Sequence, residues 1–441
     1  MSASYQIILQ AILIALAANS YPLIMLSGWL AMVPILLILA ANILPVLFSN
    51  KMPTFRLLFC AHGNRCLKAF AITLPITILA QLALLFWFFT PELWVEWLLN
   101  LGLCIVAESI LFWNGMICVY LSSVQLGIRH RAWGIVWGLV PIANLVMLFK
   151  ILKVTGDEIE FELKKHWQEE GRKEQFLCRT KYPILLVHGV FFRDNPYLNY
   201  WGRIPKTLEK NGAEVYYGEH PSALSIADSA EILAERIAQI VRNSGCEKVN
   251  IIAHSKGGLD CRYAMEHFGI SQYVASLTTI NTPHRGCMFA DHLLDKVPAK
   301  IQTKIANTYN TTLLQLGDPA PDFMAAVQDL TSAHCTEFDA NTPQPKGVFC
   351  QSIGSLLNKK SKGTFPFNIS YPYVKQFDGA NDGLVGEDSF QWSENYQLVT
   401  IPGKRGVSHL DITDLSMENI PGFDVREFYV QLVSDLKSRG L

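Results

Sequence analysis

Ile251-Ile252-Ala253-His254-Ser255-Lys256-Gly257-Gly258 is the stretch on which the reading of this chain turns. The run 249–253 before the serine is almost wholly apolar, as a strand buried on both faces of a parallel sheet must be. The stretch 257–267 after it reads as a helix. Small residues two before and two after the serine, Ala253 and Gly257, allow a backbone turn tight enough to lift the Ser255 hydroxyl clear of the sheet. A serine held there, at a helix N-terminus, is placed as a nucleophile. Ser255 is therefore the first candidate site residue.

Upstream, Tyr182-Pro183-Ile184-Leu185-Leu186-Val187-His188-Gly189-Val190 reads as a second buried strand, 184–187, that runs into a His-Gly loop. In a strand–turn–helix hydrolase architecture this loop supplies one backbone N–H to an oxyanion, and the residue after the nucleophile supplies the other. The candidate donors are the amides of Val190 and Lys256. The Lys256 side chain is expected to be a solvated helix-start group, and His188 to hold its loop rather than move protons.

Downstream, an acid and then a histidine must follow in chain order. The histidines after Ser255 are His267, His284, His292, His334 and His409. Only His409 follows a late candidate strand, 396–401, through a glycine-containing loop. The stretch Phe377-Asp378-Gly379-Ala380-Asn381-Asp382-Gly383-Leu384-Val385 offers the acid. Asp382 is preferred, with Asp378 as the alternative. Further strands are expected at 214–217, 274–280 and 348–353, and helices at 204–211, 226–243 and 425–437. Such alternation argues a doubly wound α/β domain.

The stretches YPILLVHG (182–189), AHSKGG (253–258), INTPHRG (280–286), NDGLVG (381–386) and SHLD (408–411) resemble bacterial triacylglycerol lipases of the α/β-hydrolase superfamily. The resemblance covers roughly 182–441, about three-fifths of the chain. It implies an α/β-hydrolase fold with a mostly parallel, doubly wound sheet and a cap insertion. It also implies a carboxylic ester hydrolase that works through an acyl-serine, with Ser255 as nucleophile, Asp382 as acid and His409 as base. Some members hold a structural calcium through an aspartate just after the catalytic histidine, which here is Asp411. The region upstream of Asp382 offers no clear partner aspartate, so neither metal nor cofactor is expected. The same set of residues would serve an acyltransferase, and a decayed hydrolase fold would serve as a membrane scaffold.

The rest of the chain differs in composition. It has 441 residues, net charge −1, 50% hydrophobic and 17% charged residues, which excludes disorder and argues against nucleic-acid binding. Of its 37 basic and 38 acidic residues, only ten lie in 1–150: Lys51, Arg56, Arg65, Lys68, Glu92, Glu96, Glu108, Arg129, Arg131 and Lys150. The first fifty residues carry no charge. This reads as a membrane region over 1–152 of about four to five helices, with the expected location a cell membrane crossed several times. The expected apolar segments are 5–18, 23–48 after a break at Asn19-Ser20-Tyr21-Pro22, 69–90, 101–126 interrupted by Glu108, and 132–149, weakened by Pro141 and Asn144. The first lacks a basic flank and a clean cleavage site, so it reads as retained. Lys51, Arg56, Arg65 and Lys68, and again Arg129 and Arg131, orient their loops to the cytoplasm. The side on which the hydrolase lies depends on whether 132–149 crosses. Glu108 reads as a carboxyl near the edge of its segment, or one neutralised by a polar neighbour such as Asn114, with a lipid or proton site as the functional alternative.

A charged linker helix is expected over 153–180 and the α/β-hydrolase domain over 181–441, with a cap at about 287–375. Tyr309, Leu313, Phe323, Phe367 and Tyr371 would give that cap an apolar underside facing the serine. No cysteine has metal-ligand spacing; Cys335 and Cys350 would pair only outside the cell, and buried free thiols are the default. The expected partners are a lipid or lipophilic ester substrate and the bilayer.

Overall fold

The computed structural model describes residues 3–47, 52–88, 90, 93–138, 140, 142–190, 199–315, 318, 320–359 and 367–441. They form two compact units, Met1–Gly171 and Arg172–Leu441. Lys51, Glu92, Pro141 and Phe48, which carried weight in the sequence, lie outside the described residues.

The first unit is helical: α1 (Ala3–Ala18), α2 (Tyr21–Leu26), α3 (Met32–Leu47), α4 (Phe55–Ala83), α5 (Trp94–Ser122), α6 (Gly127–Gly138) and α7 (Ala143–Gly171). Among the described residues two helical stretches, Phe55–Phe86 and Trp94–Ser122, are long and apolar enough to cross a membrane. α4 begins where Thr54 caps it by accepting from the Leu57 amide. α4 and α5 touch closely at two glycines: a Cβ at Gly63 would lie 2.7 Å from the Gly115 carbonyl.

Four expectations for this region are corrected. The segment 23–48 is not one helix, because Ser27 is extended and a short 3₁₀ turn, Gly28–Ala31, separates α2 from α3. The segment 132–149 is likewise broken: α6 ends at Gly138 and α7 starts at Ala143, after Ile142 in the left-handed region at φ 68°. The expected linker helix does not stand apart, since α7 runs unbroken to Gly171. Its Thr155 and Glu158 are buried within the first unit. Asn64 donates to Thr155 Oγ1 (2.7 Å), and Glu158 accepts from Arg56 (2.5 Å) and Ser123 Oγ (2.5 Å). Glu108 is buried too, but its partners are the hydroxyls of Thr73 (2.8 Å) and Thr77 (3.0 Å), not Asn114. Asn114 instead donates to Asn42.

The second unit is built on one parallel sheet of six strands among the described residues: β1 (Ile184–Val187), β2 (Val215–Tyr217), β3 (Val249–His254), β4 (Val274–Ile280), β5 (Phe349–Ser355) and β6 (Asn395–Val399). Their order is β2-β1-β3-β4-β5-β6. The helices are α8 (Ile204–Lys210), α9 (Ile226–Ser244), α10 (Lys256–His267), α11 (Met288–Lys296), α12 (Ala299–Gln315), α13 (Phe323–Gln328), α14 (Ser332–Asn341), α15 (Phe367–Asp378) and α16 (Val425–Ser438).

Strand alternation divides the core into two layers. Ile184, Leu186 and Ile252 face one side, with Leu208 of α8 and Tyr429, Val433 and Leu436 of α16. Leu185, Val187, Ile251 and Ala253 face the other, with Leu233 and Ile237 of α9 and Cys261 and Met265 of α10. α9 is set by Ser225, which caps its start, and by Gly245 in the left-handed conformation at its end. The chain leaves β1 toward β2 but leaves β3 toward β4. The direction of winding therefore reverses between β1 and β3, and a crevice opens at their carboxyl ends.

The expected cap is divided. β5 lies inside 287–375 and pairs with both β4 and β6, so the excursion becomes α11–α14 before β5 and α15 after it. The residues 360–366 between β5 and α15 lie outside the described part. Cys335 and Cys350 are free thiols; the Cys335 Sγ faces the Pro283 carbonyl at 3.5 Å.

Candidate active site

Ser255 sits between β3 and α10 with φ 54° and ψ −133°, a conformation that costs a non-glycine residue of order 1–3 kcal/mol. Neighbouring structure holds it there. The Ser255 amide donates to the Ile280 carbonyl of β4 (2.9 Å). Two glycines permit the turn to pack so closely. A Cβ on Gly257 would lie 2.4 Å from the His188 carbonyl, and one on Gly189 would lie 2.7 Å from Ser255 Cβ. The His-Gly loop after β1 thus passes directly beside the serine. Val190, which follows Gly189, and Lys256, which follows Ser255, are the two expected amide donors, and both are buried.

His409 and Asp382 come from loops at the same end of the sheet. His409 Nε2 is 3.0 Å from Ser255 Oγ, and its Nδ1 is 2.6 Å from Asp382 Oδ2. With the Nδ1 proton directed at the carboxylate, Nε2 accepts from the serine hydroxyl. The Asp382 carboxylate is fully engaged. Oδ1 accepts from the Leu384 (2.9 Å) and Val385 (2.8 Å) amides, and Oδ2 accepts from His409 and from Asn281 Nδ2 (2.8 Å). The His409 amide also donates to the Asp382 carbonyl (2.9 Å), which fixes one loop against the other. All three side chains are buried.

Ser255, Asp382 and His409 therefore come together as the sequence order suggests, and Asp378 does not join them. Asp378 lies at the end of α15, where burial pushes its carboxyl up to about 6. His284 is held elsewhere, by Thr279 (3.0 Å) and Arg262 (3.0 Å). Phe367 of α15 faces His409 at 6.0 Å between ring centres, so the second part of the cap does turn an aromatic toward the site.

The Lys256 side chain is corrected. It is 1% exposed rather than solvated, and its Nζ donates to Asp260 Oδ1 (2.6 Å) one turn along α10. Two further neighbours were not assigned from sequence. Asn281, at φ 47°, presents its amide to Asp382; it stood inside the INTPHRG stretch without a role. His254 packs against His409 with its ring tilted (4.6 Å between ring centres, 56° between planes) and hydrogen-bonds the Tyr200 hydroxyl through Nδ1 (2.6 Å). Burial, and then the charge of His409, hold the His254 ring well below the usual imidazole range, so it stays neutral beside the serine.

Asp411 does not fit a calcium ligand. Its carboxylate accepts from the Ser408 amide (2.9 Å) and is paired with the Arg405 guanidinium (2.9 Å), so a cation would have to displace a charge already in place. Among the described residues no group of three or more His, Cys, Asp or Glu could hold a metal ion.

Sheet, elbow and crevice give the second unit an α/β-hydrolase fold. A family model described as the alpha/beta hydrolase fold matches residues 182–344. A triacylglycerol lipase of Pseudarthrobacter phenanthrenivorans is 34% identical over 177 residues, 37% of this chain and 54% of that protein. One of Burkholderia plantarii is 34% identical over 177 residues, 37% of this chain and 49% of that protein. Triacylglycerol lipase 2 of Saccharomyces cerevisiae is 28% identical over 272 residues, 56% of this chain and 77% of that protein. The chain spans about half the length of the first two relatives.

Proposed function

We propose that the chain is a serine ester hydrolase that cleaves lipid or lipophilic acyl esters, and that its helical unit anchors it in a cell membrane. The observation that carries the chemistry is the continuous hydrogen-bonded line from Ser255 Oγ through His409 to Asp382. The triacylglycerol lipase relatives support the substrate class. The apolar stretches Phe55–Phe86 and Trp94–Ser122 support the anchor.

In this reading Ser255 Oγ attacks the ester carbonyl carbon while His409 Nε2 takes the hydroxyl proton. Asp382 keeps the ring oriented and balances the imidazolium. The oxyanion that forms is met by the Val190 and Lys256 amides, each donor of this kind lowering the barrier by about 3–4 kcal/mol. His409 then gives the proton to the departing alcohol, leaving an acyl-Ser255. Water, deprotonated by His409, attacks that acyl group and releases the carboxylic acid. The neutral His254 adds no competing charge beside the base.

The test is to incubate the purified full-length protein with a total lipid extract and follow which ester species disappear. Species lost with the wild type and kept with Ser255→Ala identify the substrate class. Equal loss with both proteins would refute the reading.

A further inference from the structure

The first turn of α10 carries a cation where the helix dipole disfavours one. Lys256 is the first residue of α10, yet it is buried. All three protons of its ammonium are matched, by Asp260 Oδ1 (2.6 Å), Ser229 Oγ (3.0 Å) and the Ser225 carbonyl (3.4 Å). The second oxygen of Asp260 faces His220 Nε2 at 3.8 Å, on the loop after β2. The His220 ring lies flat on His188, 4.1 Å between ring centres and 7° between planes. His188 hydrogen-bonds the His220 carbonyl through Nε2 (3.0 Å) and lies 2.9 Å from the Gly189 carbonyl through Nδ1. All four of these side chains are buried.

A buried ion pair is weak support for stability, because desolvation offsets most of its attraction. This one joins two particular pieces of backbone. One end is the residue whose amide meets the oxyanion from α10, and the other is the His-Gly loop whose next residue, Val190, supplies the second amide. We infer that Lys256, Asp260, His220 and His188 form a brace that sets the spacing of the two oxyanion-binding amides. Asp260, His220 and His188 are thereby positioning residues for the hydrolysis. This rests on the reading of Ser255 as the nucleophile. Misplacement of such donors by about 1 Å costs up to ~100-fold in rate, and the loss falls on the transition state, where the oxyanion exists.

The experiment uses the full-length protein and a short soluble ester, p-nitrophenyl butyrate. His220→Phe keeps a flat ring over His188 and removes the edge that faces Asp260. Lys256→Met with Asp260→Leu replaces the ion pair with apolar groups of similar size, a change that folds tolerate. Turnover is counted per site that a fluorophosphonate labels at completion, so unfolded molecules drop out. Each variant is expected to lose about 10- to 100-fold in kcat with KM within about threefold. Affinity for a trifluoromethyl ketone, whose Ser255 adduct carries the oxyanion, should fall in step with kcat, while the corresponding alcohol binds as before. A variant that loses only thermal stability, with kcat per labelled site and ketone affinity unchanged, overturns the brace. Equal turnover per mole of protein in Ser255→Ala and wild type refutes the nucleophile assignment and the brace with it. Turnover that depends on Ser255 but ignores both brace variants refutes the brace alone.

Discussion

Asp382 and Asp378 are four residues apart and of the same chemical type, and their surroundings separate them. Asp382 has four hydrogen bonds to its carboxylate, one of them from His409. Asp378 stands beside α11, away from the histidine, with its carboxyl raised by burial. Asp382→Asn is expected to lower kcat by orders of magnitude, toward ~10⁴-fold, because the amide favours the wrong ring tautomer of His409. Asp378→Asn should leave kcat within a few-fold, and steady-state rates on a soluble ester decide between the two. Asn281→Leu, which leaves one Asp382 oxygen with a single partner, should fall between them at about tenfold, from the loss of one hydrogen bond to a charged group. That Ser255, Asp382 and His409 meet was legible, because the proposed nucleophile, acid and base must occur in order and at turns after strands. The burial of the Lys256 side chain was not, because a lysine after a helix start is solvated unless a carboxylate, here Asp260, meets it from the same buried face.

At the level of elements, the loop after β6 carries His409, and a charge pair ties it down. Arg405 joins Asp411 (2.9 Å) and Glu418 (3.0 Å), while Asp411 also holds the Ser408 amide next to His409. Chelation with EDTA is therefore expected to leave both activity and melting temperature unchanged. Arg405→Gln strands a buried carboxylate at a cost of about 3 kcal/mol, which lowers Tm by roughly 6–12 °C in a unit of this size. A calcium-dependent melting temperature in the wild type would contradict this account. Elements defined by sharp apolar runs were read closely from sequence: β1 and β4 have the expected bounds. Those defined by apolar content alone were not. The uncharged stretch 23–48 was read as one helix although Ser27 is extended, and the cap was drawn straight across 287–375 although the strand expected at 348–353 is there as β5, paired with partners distant in sequence.

The whole chain divides at Gly171, and every residue assigned to the chemistry follows that point. Arg172, the first residue of the second unit, is itself anchored there by Glu427 (2.7 Å). A chain begun at Arg172 is expected to be soluble and to cleave short esters at a rate within a few-fold of the full-length protein. Its activity on bilayer esters should fall, because an anchor raises local substrate concentration rather than the chemical rate. Comparing the two proteins on a soluble ester and on vesicles measures both effects. The central claim, that Ser255 is the nucleophile activated by His409, is tested most directly by covalent trapping. The full-length protein is treated with a fluorophosphonate, digested, and its adduct located by mass spectrometry. The account predicts one stoichiometric adduct on the peptide carrying Ser255, absent in Ser255→Ala and formed at least ~100-fold more slowly in His409→Ala. An adduct on another residue, or equal labelling of Ser255→Ala, would contradict it.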